Sequence, residues 1–179
     1  METYVALFRG INVGGKHRLP MQNLVKVLEE AGCRRVRTYI QSGNVVFQAR
    51  KQDRQTLARQ ISQEISAAKG FAPMVLLLTE DTLREAVANN PYPTEEGKAL
   101  HFFFLDTPAV TPDLERLTDL KARSEAFTLK RSTFYLHAPD GIGRSKLAAK
   151  VEQCLGVPVT ARNWNTVRKL LEMAAEHPP

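Results

Sequence analysis

Residues 36–47, Val-Arg-Thr-Tyr-Ile-Gln-Ser-Gly-Asn-Val-Val-Phe, hold two β-rich runs, Val36–Ile40 and Val45–Phe47, on either side of Gln41-Ser42-Gly43-Asn44. Such runs around a Gly-Asn turn read as a β-hairpin. What flanks the hairpin decides the fold. Upstream, Thr3–Phe8 alternates as a strand, and Pro20–Ala31 is an amphipathic helix. Its Leu24, Val27, Leu28 and Ala31 recur at helical spacing, with Pro20 suited to the opening and Gly32 to the stop. Downstream, Asp53 caps a helix running to about Lys69, with Leu57, Ile61 and Ile65 on its inner face. Pro73–Thr79 closes the half as a near-continuous apolar strand, so the order is β-α-β-β-α-β.

The order recurs after a connecting helix, Glu80–Ala88, and a turn-rich segment, Asn89–Lys98. Leu100–Leu105 reads as a strand, Pro112–Ala122 as a helix, and Phe127–Lys130 with Phe134–His137 as a hairpin. Ser145–Leu155 follows as a helix, Val157–Thr160 as a strand and Asn165–Ala175 as a closing helix. The halves repeat element order and share little residue identity. The expected class is α+β, with two ferredoxin-like subdomains in tandem, residues 1–80 and 99–179, a helix and linker over residues 81–98, and a C-terminal helix.

This topology carries a functional consequence. If strand one runs up, helix one runs down and strand two up, so the loop Arg9–Leu19 and the hairpin tip Gln41–Asn44 lie at the same end. Two polar, glycine-bearing loops are therefore expected to converge.

Composition narrows the classes. Of 179 residues, 43% are hydrophobic and 25% charged, near the globular average. The longest apolar runs, such as Met74–Leu78 and Phe102–Leu105, fall far short of the roughly 20 residues of a membrane span. Met1–Gly10 lacks the basic start and apolar stretch of a signal peptide. Cys33 and Cys154 are the only cysteines and fit free, half-buried thiols in a reducing compartment, so the expected location is cytoplasmic. Residues 1–90 carry 13 Lys/Arg against 8 Asp/Glu, and residues 91–179 carry 12 against 11. The mildly basic first half points to an anionic partner.

The best-marked loop is Gly10-Ile-Asn12-Val-Gly14-Gly15-Lys16, which fits the GxxxxGK part of a phosphate-binding loop after a strand. His17 stands where that chemistry needs a Ser/Thr hydroxyl for magnesium, the helix opens only near Pro20, and the sheet reads as antiparallel. Nucleotide hydrolysis is therefore disfavoured. Anion binding without hydrolysis is preferred to a loop that merely needs Gly14 and Gly15 for positive φ. Arg9 and Lys16 offer charge, and Gln41, Ser42 and Asn44 offer amide and hydroxyl groups beside it.

Two further segments attract notice. Arg144-Ser145-Lys146 precedes a helix that Ser145 can cap, and two cations there oppose the helix dipole unless an anion is bound. Thr160–Val167 enters the last helix with Arg162, with Asn163 or Asn165 as cap, and with Trp164, better read as a packing anchor than a stacking platform. Arg34, Arg35 and Arg37, with Arg50, Lys51 and Arg54, can track phosphates or protect a solvated edge strand, the commoner case. An RNA-recognition reading lacks its platform, since Asn44 and Val46 fall where the two stacking aromatics belong.

Catalytic and metal signatures are missing. His17, His101, His137 and His177 are scattered without a metal-ligand spacing, Ser42-Gly43 is not a nucleophile elbow, and neither cysteine has a sequence partner. No cofactor, metal or membrane partner is expected. An enzyme on a small phosphorylated substrate, a nucleic-acid binder and a purely structural module stand as alternatives to a small-anion binder.

Three segments, Tyr4–Lys16, Tyr39–Phe47 and Arg162–Val167, resemble a largely bacterial family catalogued as domain of unknown function 1697. The resemblance rests on the Arg-Gly-Ile-Asn-Val-Gly-Gly run at residues 9–15 and the Gln-Ser-Gly-Asn run at residues 41–44. It implies two ferredoxin-like subdomains and no established activity, cofactor or substrate.

Overall fold

The structure is a computed structural model and describes residues 1–176; His177 lies outside the described residues. Among them are two four-stranded antiparallel sheets and six α-helices. By their contacts the residues fall into two compact units, one of Met1–Glu85 with the described chain from Lys169 onward, the other of Ala86–Arg168.

The first unit contains β1 (Glu2–Arg9), α1 (Met21–Glu30), β2 (Arg34–Tyr39), β3 (Asn44–Ala49), α2 (Arg54–Lys69) and β4 (Met74–Thr79). Its sheet order is β2-β3-β1-β4. β1 is thus central, paired with β3 in a register that sets Tyr4 opposite Phe47 and Leu7 opposite Asn44, and with β4 from Tyr4–Thr79 to Arg9–Met74. Side chains alternate across a strand, so Tyr4, Ala6 and Phe8 share the face that packs with Leu24, Val27 and Leu28 of α1 and Leu57, Ile61 and Ile65 of α2. Each of these leucines and isoleucines contributes roughly 1.5–3 kcal/mol by leaving water. Helix α2 starts where Asp53 accepts the Thr56 backbone N–H at 2.8 Å and stops at Gly70, whose φ of 78° is the left-handed cap. β2 is an edge strand, and its Arg34, Arg35 and Arg37 are exposed.

Helix α3 (Glu80–Ala88) leads into β5 (Leu100–Leu105), α4 (Leu114–Leu120), β6 (Ala126–Lys130), β7 (Thr133–His137), α5 (Val151–Leu155), β8 (Val159–Asn163) and α6 (Trp164–Ala175). The sheet order β6-β7-β5-β8 repeats the first pattern. Phe103, Leu105, Phe134 and Leu136 pack there with Leu117 of α4 and with Val151, Cys154 and Leu155 of α5.

Several boundaries differ from expectation. The segment read as one helix, Ser145–Leu155, is a 3-10 turn over Ala148–Lys150 followed by a five-residue α5. Between the two pieces Lys150 sits at φ −115°, ψ 0°, and its N–H donates to the carbonyl three residues back, Leu147, at 2.9 Å. The strand read as Val157–Thr160 runs instead over Val159–Asn163, because Pro158 has no N–H to donate while Arg162 and Asn163 pair with Phe102 and His101. Both cysteines are free and buried, deeper than the half-burial expected. No helix among the described residues is long and apolar enough to cross a membrane.

Candidate functional site

The loop after β1 and the β2–β3 turn meet at one end of the first sheet. The Asn12 amide nitrogen donates to the carbonyls of Leu19 and Gln41, each at 2.9 Å, and its oxygen accepts the Leu19 N–H at 2.8 Å. The Phe8 N–H donates to the Gly43 carbonyl at 2.8 Å. Gly43 lies at φ 80°, and a Cβ there would sit 2.6 Å from Ile11 Cδ1 and 2.7 Å from Phe8 Cβ, so only glycine lets the turn close on the loop. Asn44 is fully buried and donates to the Tyr39 carbonyl at 3.1 Å and to Ser42 Oγ at 3.0 Å.

Within the loop, Asn12 N–H donates to the His17 carbonyl and Lys16 N–H to the Val13 carbonyl, both at 3.1 Å. Gly14 and Gly15, at φ 59° and 74°, are the two central residues of this small hairpin and carry the positive φ pair of a type I′ turn. The run that reads as a phosphate-binding loop is thus a two-residue hairpin, not a cradle leading into a helix. His17, which stands in the hydroxyl position of that motif, stacks on Phe71 at 4.7 Å and contacts the Gly10 carbonyl through Nδ1 at 3.1 Å. Its ring holds the loop to the α2–β4 connection.

Asn12, Asn44 and Gly43 therefore fix backbone, while Arg9, Gly14, Gly15, Lys16, Gln41 and Ser42 are exposed. Arg9 lies over Met74, its Nη1 3.8 Å from the sulfur. The three connections forming this end, residues 9–20, 39–44 and 70–74, carry Arg9, Lys16 and Arg18 and no Asp or Glu.

The remaining candidates belong to the second unit. Arg144 and Lys146 are exposed, and Ser145 Oγ accepts the Ala148 N–H at 3.0 Å, capping a short 3-10 turn, not the first turn of an α-helix as expected. Asn163 is the α6 cap, accepting the Thr166 N–H at 3.0 Å. Trp164 stacks on Phe102 at 5.9 Å, a packing contact. Arg162 donates to the Ala161 carbonyl at 2.8 Å, and burial lowers its pKa to about 10, so it remains charged at neutral pH.

Sequence reasoning passed over a cleft of about 570 Å³ at the opposite end of the first sheet, lined among others by Cys33, Arg34, Ala49, Arg50, Leu57 and Ile61. The available signal was the arginine at the start of β2 and another just past β3, which the Arg34–Gln48 pairing brings to one end. Among the described residues, no group of three His, Cys, Asp or Glu is placed to hold a metal.

The fold is similar to that of a conserved bacterial protein from Streptococcus pneumoniae, at 24% identity and a TM-score of 0.66, covering 97% of this chain and 98% of that one. At that identity the likeness is one of fold. None of the curated proteins compared matches the chain. The model of one family matches residues 1–135, which include the Arg9–Lys16 loop, the Gln41–Asn44 turn and the whole first sheet, and the chain belongs to that family, described as protein of unknown function (DUF1697).

Proposed function

We propose that this protein binds a small anionic or nucleotide-like ligand at the end of the first sheet formed by the Arg9–Lys16 loop and the Gln41–Asn44 turn. The observation that carries the reading is an exposed cationic loop pinned to the β2–β3 turn. Asn12 ties the two loops together, and Arg9, Lys16 and Arg18 are exposed on connections that contain no Asp or Glu of their own. A positive surface whose backbone is already fixed binds an anion with little ordering cost. The exposed Gly14 and Gly15 N–H groups add donors at the hairpin tip, and Ser42 and Gln41 orient the ligand. Each charge-assisted hydrogen bond is worth about 1.5–3 kcal/mol. The same reading takes each unit as a ferredoxin-like split β-α-β, supported by the element order and by the central β1 and β5. It places the protein in the cytoplasm of a bacterium, supported by two free thiols.

Calorimetry with pyrophosphate, ADP and adenosine tests it. Binding of the anions with at least tenfold loss in an Arg9→Ala, Lys16→Ala variant is the expected result. Silence toward every anion, or unchanged binding by the variant, overturns it. Turnover of a phosphorylated substrate at this surface would move the protein to the enzyme alternative.

A further inference from the structure

The cleft at the other end of the first sheet has a different chemistry from the cationic loops. It opens where β1 begins, β3 ends and the chain turns into α2, and its volume of about 570 Å³ suits a small molecule. Its floor is the apolar edge of the first core, Cys33, Ala49, Leu57 and Ile61. Its rim is Arg34, Arg50, Gln52 and Gln60, all exposed. Among the described residues, no carboxylate lines it. Two acids near it in the chain make contacts of their own: Glu2 accepts the Tyr4 hydroxyl at 2.6 Å, and Asp53 accepts the N–H and hydroxyl of Thr56 at 2.8 Å. Among the described residues, no side-chain hydrogen bond or ion pair engages the guanidinium of Arg34 or Arg50. The Gln52 N–H donates to the Tyr4 hydroxyl at 3.3 Å, which fixes the rim to β1. Burial pushes the Cys33 thiol to about 11, so at neutral pH the cleft presents it as apolar surface and not as a nucleophile.

We propose that this cleft is a second binding site, for a small carboxylate that carries an apolar body. Arg34 and Arg50 offer planar guanidinium forks to the carboxylate, and Leu57 and Ile61 offer surface to the apolar part. The glutamine amides close the rim without adding charge. An inorganic anion would gain from the arginines alone, whereas a ligand with a buried hydrocarbon portion gains from both. That difference separates this site from the loop surface at the opposite end.

Titration of the isotope-labelled full chain with octanoate, acetate and inorganic phosphate, read by amide and methyl NMR, tests the proposal. The expected result is saturable octanoate shifts at the Gly32, Cys33 and Gln52 amides and the Leu57 and Ile61 methyls. Octanoate should bind at least roughly tenfold more tightly than acetate, since burying two methylenes suffices for that. Arg34→Ala with Arg50→Ala, both exposed changes, should cut octanoate affinity at least tenfold with the rest of the spectrum intact. The Arg9→Ala, Lys16→Ala variant should bind octanoate as the wild type does, so the two sites fail or stand separately. Absent shifts at the cleft, acetate or phosphate matching octanoate, or wild-type affinity in the arginine variant would overturn it.

Discussion

Gly43 and Gly14 both have positive φ, yet they answer to different constraints. At Gly14 a Cβ meets nothing within 4 Å, whereas at Gly43 it strikes Ile11 and Phe8. Gly14→Ala should therefore cost only the backbone term of roughly 1 kcal/mol, and Gly43→Ala that term plus about 1–3 kcal/mol of overpacking. Urea unfolding of the two variants measures the difference, and equal losses would mean the turn does not close on the loop. Asn44→Ala should also cost about 1–3 kcal/mol, because it strips a donor from two partners in a fully buried site, while exposed Ser42→Ala should lose less. His101 supplies a pH test. Burial holds its pKa below 6.5, with a weaker opposing contribution from the Ala99 backbone, and its Nδ1 is buried without a partner. A depressed histidine stabilises the fold above its unfolded pKa, and that contribution is lost as pH falls below about 6.5. The urea midpoint should drop over that acid range, and His101→Phe should flatten the drop.

At the scale of elements, legibility followed local cause. The start of α2 is written in Asp53 and its stop in Gly70, because a side-chain acceptor and a left-handed glycine act within one turn of chain. Asp53→Ala should lower stability by about 0.5–2 kcal/mol, with helix-end amides of Arg54–Leu57 losing exchange protection first. Ser145–Leu155 was less readable. Its apolar spacing suits a helix, but the segment divides at Lys150 into a 3-10 turn and five α-helical residues. Likewise β8 extends to Asn163 only because β5 supplies partners for Arg162 and Asn163, which nothing in the residues after Pro158 announces. Gly14-Gly15 was legible as a need for positive φ and illegible as a hairpin tip, since the same glycines also suit a phosphate loop.

For the whole molecule, each unit carries its own core, and the two share no residue. Ile61→Ala and Leu117→Ala remove buried side chains from different cores and should each cost about 2–5 kcal/mol. Their double variant should be additive to within about 0.5 kcal/mol in a double-mutant cycle, and a larger interaction energy would show coupling of the cores. From the sequence alone come the element order, the hairpins, the inner faces of α1 and α2 and the meeting of the Arg9–Leu19 loop with the Gln41–Asn44 turn. These depend on hydrophobic period, turn chemistry and chain direction, which are properties of short stretches. Only the tertiary structure decided that Asn12 and Asn44 bind backbone, leaving the cations as the exposed chemistry of that end, and that Arg34 and Arg50 border a cleft. A side chain's partners are set by residues far away in the chain, and no local pattern encodes them.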